Sequence, residues 1–320
     1  MRITKTLIRC AAASSAAALM LTACTTGDET ATQSEEPREI ETIGLMVQDL
    51  SNPFFSAMQT GLEAKAEEIG ATVNTQDGRQ DLAAQNDQID AFIQQQVDVI
   101  LLNAVDSDGI ASAVSRAKAA GIIVVAVDVG AEGADATVTT DNVAAGSQAC
   151  QYLVDALGGT GNILIVDGTP ITSVQDRVAG CEEVLADNPG ITVVGKQAGK
   201  NDRATSLTLT TDMLTANPVV DGIFAINDPT ALGSALAAEQ SGRTGIQIVG
   251  VDGSPEAVAE LQKTESPFVA TPAQDPAGIV VRGLEIAQEI ASGETPAETE
   301  VLMPTELITR ENLSTYKGWT

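Results

Sequence analysis

Residues 43–58 read IGLMVQDLSNPFFSAM, and these sixteen positions contain a strand, a turn, a helix start and an aromatic pair. Ile43, Leu45, Met46 and Val47 form an apolar run of the length of a buried strand, and Gln48 and Asp49 end it with groups that need hydrogen bonds. Asn52 suits a helix cap, and Pro53 suits the first helical position, where a missing N–H costs nothing. Phe55, Met58, Leu62, Ala66 and Ile69 then recur at helical spacing. The unit is strand, turn, helix, with polar groups and two adjacent phenylalanines at the carboxyl end of the strand, the edge at which open α/β sheets bind ligands. The chain has only five Phe, two Tyr and one Trp, so two neighbouring rings in a turn are costly to assign to packing alone. Consecutive residues cannot both face the core of one helix, which points one ring toward a cleft.

Outward from this unit, strands and helices alternate. A weak strand from Val73 and a helix over Leu82–Gln95 precede the apolar runs VDVILLN and GIIVVAVD, which flank a helix over Gly109–Ala120. From Asp141 the pattern restarts: helix to Leu157, strand NILIVDG, helix Val174–Ala186, strand ITVVGK, helix Ala204–Leu214, strand DGIFAIND, helix Pro229–Gln240, strand IQIVGVDG. A further helix spans Pro276–Ser292, and VLMPTELITRENL closes the pattern without an assigned element. Such alternation predicts parallel sheets covered on both faces, and two successive series predict two domains.

Most apolar runs end in a residue that gives or takes hydrogen bonds: Gln48, Asn103, Asp128, Asp167, Asn227, Asp252 and Gln274. Parallel strands share their carboxyl edge, and helices starting at Pro53, Pro229, Pro255 and Pro276 turn free N–H groups toward it. Two such edges facing each other make a cleft lined with carboxylates, amides and helix starts. Asn103 and Asp167 are explained as well by wet strand ends and are left out of the candidate site.

Composition narrows the function. The net charge of −27 repels nucleic acid and anionic headgroups. No histidine is present, which removes the commonest general base and the commonest transition-metal ligand. No phosphate-cradling glycine motif follows a strand, and GGTG at Gly158–Gly161 precedes one. Asp106-Ser107-Asp108-Gly109 lacks the further ligands of a calcium loop and reads as a helix start. Neither catalysis nor a cofactor is expected, although carboxylate pairs are compatible with glycoside chemistry.

Arg2, Lys5 and Arg9 precede an apolar stretch from Cys10 to Leu21, too short to span a bilayer comfortably and followed by Leu21-Thr22-Ala23-Cys24. Residues 1–23 therefore read as an export signal, and the Thr-, Glu- and Ser-rich segment 24–40 as a flexible tether. LTAC resembles a bacterial lipobox, which implies lipidation of Cys24 and an extracytoplasmic protein anchored to the cell membrane. In that compartment Cys150 and Cys181 are either a disulfide or two buried thiols; both pair with apolar helix stripes.

NPFF, VDVILLNAVDSDGI, GIIVVAVD, TDNVAAG, IFAINDPTALG, IVGVDGSPEA and FVATPAQDPAGIV, in this order, resemble the periplasmic sugar-binding proteins of ABC transporters, of the ribose/galactose type, over residues 41–310. The resemblance implies an α/β periplasmic-binding-protein fold: two Rossmann-like lobes with parallel sheets, joined by a three-crossing hinge near Asp141, Gln274 and Leu302. It implies one lobe from residues 41–141 with 275–302 and another from 142–274 with 303–320. It marks Asn52, Asp128, Asn227, Asp252 and Gln274 as hydroxyl-binding residues and Phe54 and Phe55 as stacking platforms, with Gln48 also near the ligand. Carboxylates and amides can each hold two adjacent hydroxyls, and an aromatic face packs on the C–H face of a sugar. A second pocket arginine belongs in SVQDRVAG, where Arg177 or Gln175 takes the position. Val129 stands where ribose binders carry Arg, and Asn201 where an aromatic is often found, which speaks against ribose itself. The expected ligand is a small neutral sugar or polyol, since an anion would meet Asp128 and Asp252. The expected partner is a membrane permease, with the protein a monomer. The alternative is a sensor of the same fold that presents a sugar or small signalling molecule to a membrane receptor.

Overall fold

The computed structural model describes residues 38–319. In chain order the elements begin with β1 (Thr42–Val47), α1 (Pro53–Ile69), β2 (Thr72–Asp77), α2 (Leu82–Gln95), β3 (Val99–Leu102), α3 (Ala111–Ala119), β4 (Ile123–Val127) and β5 (Ala136–Thr140). They continue with α4 (Asn142–Ala156), β6 (Gly161–Asp167), α5 (Thr172–Asp187), β7 (Ile191–Ala198), α6 (Arg203–Ala216), β8 (Gly222–Ala225), α7 (Asp228–Gln240) and β9 (Gln247–Val249). The last are α8 (Pro255–Leu261), β10 (Phe268–Ala273), α9 (Pro276–Ala291), β11 (Glu300–Met303) and β12 (Glu306–Thr309).

The strands form two six-stranded sheets, ordered β11-β5-β4-β3-β1-β2 and β12-β10-β9-β8-β6-β7. Every pairing is parallel except β10 with β12. The chain passes between sheets three times: from β5 into α4, from β10 into α9, and from β11 into β12. The Asp141 N–H donates to the Met303 carbonyl at 2.8 Å, which ties two of the crossings together. This is the two-lobed architecture with a three-crossing hinge, and each sheet is packed on both faces by its own helices. Among the described residues no helix is long and apolar enough to cross a membrane. The export signal, the lipidation at Cys24 and most of the tether lie outside the described residues.

The opening unit folds as its sequence dictates. Asn52 accepts the Phe54 N–H at 3.0 Å, Pro53 opens α1, and Gly70 closes it in the left-handed conformation. The structure differs from the sequence pattern at three places. The threonines of β5 (ATVTT) read as loop, but the segment is a strand buried between β4 and β11. The closing stretch supplies β11 to one sheet and β12 to the other, strands of four residues each, too short for periodicity to reveal. The helix expected from Gly109 begins at Ala111, because the Asp106 carboxylate accepts the Asp108 and Gly109 N–H groups in a preceding turn.

Cys150 and Cys181 are bonded, joining α4 to α5 across 31 residues. The same helices touch through glycines: a Cβ on Gly146 would fall on the Arg177 carbonyl oxygen, and one on Gly180 on that of Val143. This close approach sets the height of Arg177 above the second sheet. Gly146→Ala should therefore cost about 2 kcal/mol or more through overpacking against backbone that cannot yield, read as a lower urea midpoint at unchanged slope.

Candidate functional site

The carboxyl edges of the two sheets face each other across a cavity of about 540 Å³. Gln48, Asn52, Phe54, Phe55 and Asp128 line it from the first lobe, and Arg177, Asn227, Asp252 and Gln274 from the second and the hinge. Every candidate residue from the sequence is thus brought to one wall or another. Arg177 takes the position left open in SVQDRVAG, one helical face away from Gln175, which is exposed and donates to the Pro170 carbonyl instead.

Asp128 follows β4 with a φ of 67°, and its carboxylate accepts from Asn103 Nδ2 at 2.8 Å. Asp252 follows β9 with a φ of 142°, a conformation that a residue with a side chain holds only when its surroundings enforce it. Its carboxylate accepts from Gln274 Nε2 at 2.7 Å and from Arg177 at 3.4 Å. Arg177 is buried, donates from Nε to Asn142 Oδ1 at 2.8 Å and from its terminal nitrogen to the Ile226 carbonyl at 3.0 Å. Its fork is therefore fixed before any guest arrives.

Several candidates do double duty. Asn52 Oδ1 is spent on the α1 cap, and Asn227 Oδ1 caps α7 through the Thr230 N–H at 2.9 Å while its Nδ2 donates to the Asn201 carbonyl at 3.1 Å. Gln48 Nε2 donates to the Ala104 carbonyl at 2.9 Å. Gln274 accepts from Thr140 at 2.6 Å and donates to Asp252, so it braces a carboxylate across the hinge. Phe54 and Phe55, in the first turn of α1, meet edge to face at 5.6 Å, and both pack on the first lobe's core as well as lining the cavity, so the cleft has two rings where residue spacing alone pointed to one. The lobes touch at the cleft edge, where the Gly130 N–H donates to Thr172 Oγ1 at 2.8 Å and the Thr172 N–H to Ser107 Oγ at 3.3 Å.

The sequence reading missed other groups. Asp228, fully buried behind Asp252, accepts from Thr271 at 2.8 Å and from the Ser254 N–H at 2.7 Å. In the sequence it reads as the residue before Pro229, and its place in the run IND-P, at a strand end, is the signal that marks it. Asn142 orients Arg177, and Asn103, set aside as a wet strand end, orients Asp128. Lys200, Asn201, Arg203, Glu256 and Gln80 also line the cavity. Asn201 is bound up with Thr169, accepting its N–H at 2.9 Å and donating to its hydroxyl at 2.8 Å.

Burial raises all three carboxyl groups. Asp128 is pushed up to about 6, with Arg177 and the Asn103 hydrogen bond offsetting part of the burial. Asp228 and Asp252 rise as well, burial leading in both; for Asp252 the neighbouring Asp228 charge adds to it and Arg177 opposes it. The cavity wall carries Asp49, Asp128, Asp202, Asp252 and Glu256 against Arg177, Lys200 and Arg203, an excess of acidic groups that suits a guest rich in donors better than an anion.

Two hinged α/β lobes closing on a cavity of carboxylates, amides and aromatics define a receptor for a small polar molecule. The chain matches the periplasmic binding protein domain over residues 43–295 and belongs to that family, whose members are extracytoplasmic substrate-binding proteins. It is 34% identical to a ribose import binding protein of Bacillus subtilis over 273 residues, 84% of this chain and 88% of the relative. It is also 34% identical to a xylitol-binding protein of Mycolicibacterium smegmatis over 308 residues, 94% of this chain and 85% of the relative. Among solved structures, the Caulobacter myo-inositol binding protein bound to myo-inositol superposes with a TM-score of 0.81 at 27% identity, covering 88% of this chain and 97% of that one.

The shift at Asp128 has a sign that can be tested without ligand. Its folded value of about 6 lies above the ordinary 3.8, so the stability it confers is complete below the ordinary value and is lost as pH rises through about 6. Asp128→Asn, which cannot ionise, should be more stable than the wild type at pH 7.5 by up to about 3 kcal/mol, with the gap closing near pH 4. Paired urea titrations across that range check both the sign and the window.

Proposed function

We propose that the protein captures a neutral monosaccharide or polyol between its lobes and delivers it to an ABC-type permease, performing no chemistry on it. The observation that carries this reading is the meeting of Asp128 and Asp252, one from each sheet, around the buried Arg177 and beside Phe54 and Phe55. Each carboxylate can bridge adjacent hydroxyls, the guanidinium can donate to a ring or chain oxygen, and the aromatic pair can cover C–H surface. A guest touching both lobes stabilises the closed arrangement that a permease can distinguish from the open one. The relatives that bind ribose and xylitol support this ligand class, and the carboxylate excess disfavours sugar phosphates and sialates.

In this reading residues 41–141 with 275–302 move as one lobe and 142–274 with 303–320 as the other, supported by the division of strands between the sheets. Residues 1–23 direct export, Cys24 carries the lipid, and 24–40 let a monomeric body reach the permease from the outer face of the membrane. The membrane association then rests on the lipid and not on the acidic body.

Thermal unfolding of the mature body against pentoses, hexoses, pentitols, inositols, a sugar phosphate and a sialate tests the ligand class. A guest at a hundred times its dissociation constant should add about 2.7 kcal/mol, several degrees of midpoint. Neutral polyhydroxy compounds should be the responders; a response confined to the anions contradicts the assignment. Asp128→Ala and Asp252→Asn should each weaken binding of the responder by roughly a hundredfold, since both remove charged acceptors from a desolvated site.

A further inference from the structure

The segment after β12 makes contacts that neither the matched family region, which ends at residue 295, nor the resemblance over residues 41–310 accounts for. It is fastened to the second lobe. The Arg310 guanidinium donates to the carbonyls of Leu261 at 3.2 Å, Ser266 at 2.7 Å and Phe268 at 2.9 Å. Asn312 accepts the Thr309 N–H and donates to the Leu307 carbonyl, both at 2.8 Å, and Leu313 and Tyr316 pack on the second lobe's core. Tyr316 donates from its hydroxyl to the Gly253 carbonyl at 2.8 Å.

Three residues later the segment reaches the other lobe. Trp319, the single tryptophan of the chain, packs on the core of the first lobe and meets Phe54 edge to face at 5.6 Å. Its indole Nε1 donates to the Asp252 carbonyl at 2.9 Å, which also accepts the Gln274 N–H at 2.9 Å. Trp319 does not line the cavity. It stands behind two residues that do, one from each lobe, and holds the peptide of the one whose φ is 142°. With Tyr316 on the next carbonyl, the Asp252-Gly253 turn is pinned from outside the cleft, so that its carboxylate stays aimed at Arg177 and Gln274.

We propose that Trp319 is a positioning residue for solute binding: an interlobe strap that holds Phe54 against the cleft and fixes Asp252 by its backbone, so that it slows release from the closed state. The inference rests on the reading of the cleft as the solute site. A strap made of one aromatic contact and one hydrogen bond, formed only when both lobes are in place, acts on the lifetime of the closed state more than on encounter.

The test compares wild type, Trp319→Ala, Trp319→Phe and Asp252→Asn, with D-ribose, D-allose, xylitol and myo-inositol as probes, by calorimetry and stopped-flow dissociation. Trp319→Ala should weaken the responding probe about tenfold, chiefly by faster dissociation, with the ligand-free thermal midpoint within a few degrees of wild type. Trp319→Phe, which keeps a ring against Phe54 but lacks the indole donor, should recover part of the loss. Wild-type affinity and release in Trp319→Ala, while Asp252→Asn has lost binding, overturns the strap and leaves the site standing. So does equal weakening in both tryptophan variants accompanied by a lowered ligand-free midpoint, which would mean a damaged fold. Undiminished binding by Asp252→Asn, or no response of wild type to any of the four probes, overturns the reading of the site and the strap with it.

Discussion

Around Arg177 the protein buries more negative than positive charge, and much of its local structure serves to hold that arrangement. Asp128, Asp228 and Asp252 are all nearly inaccessible, and one guanidinium stands among them. Isolated buried carboxylates would be too costly to keep, so each is held by donors: Asn103 for Asp128, Thr271 and the Ser254 N–H for Asp228, Gln274 and Arg177 for Asp252. The guanidinium in turn is fixed by Asn142 and by the Ile226 carbonyl. Its height depends on the α4–α5 contact, where glycines let the helices meet and Cys150 and Cys181 join them. A site built this way is preorganised for a guest that brings donors and no charge.

The hinge follows from the same constraint. Asp128 belongs to one sheet and Asp252 to the other, and Gln274 with Thr140 links them where the chain crosses. In the proposed lobe motion, opening would separate Asp128 from Arg177 and return its carboxylate to water. Closing them without a guest confines acidic groups together. In the proposed function a polyhydroxy guest would relieve that cost by supplying hydrogen-bond donors, which would tie recognition to domain movement without a separate device.

Much of this is legible in the sequence because strand ends are marked twice, by the loss of apolar residues and by the proline that opens the next helix. Asn52-Pro53, Asp228-Pro229, Ser254-Pro255 and Asp275-Pro276 mark the edge, and Gln48, Asn52, Asp128, Asn227, Asp252 and Gln274 at that edge line the cavity, whereas Asn103, Asp167, Asp228 and Asp275 do not. What escaped reading is what depends on contact across long separations. Asp228 looks like a helix opener, and only the fold puts it behind Asp252. Asn142 and Arg177 belong to different helices, and Trp319 lies 265 residues from the Phe54 ring it touches. The strands β5, β11 and β12 are short, β5 is mostly threonine, and they owe their conformation to neighbours in the sheet more than to their own propensity.

A crystal structure of the mature body with its strongest thermal-shift responder measures the central claim most directly. The account predicts one guest enclosed between the lobes, with hydroxyl oxygens within hydrogen-bond reach of both Asp128 and Asp252, an oxygen on Arg177, and C–H surface against Phe54 or Phe55. A guest held by one lobe alone, or seated away from the Asp128–Asp252 pair, would contradict it.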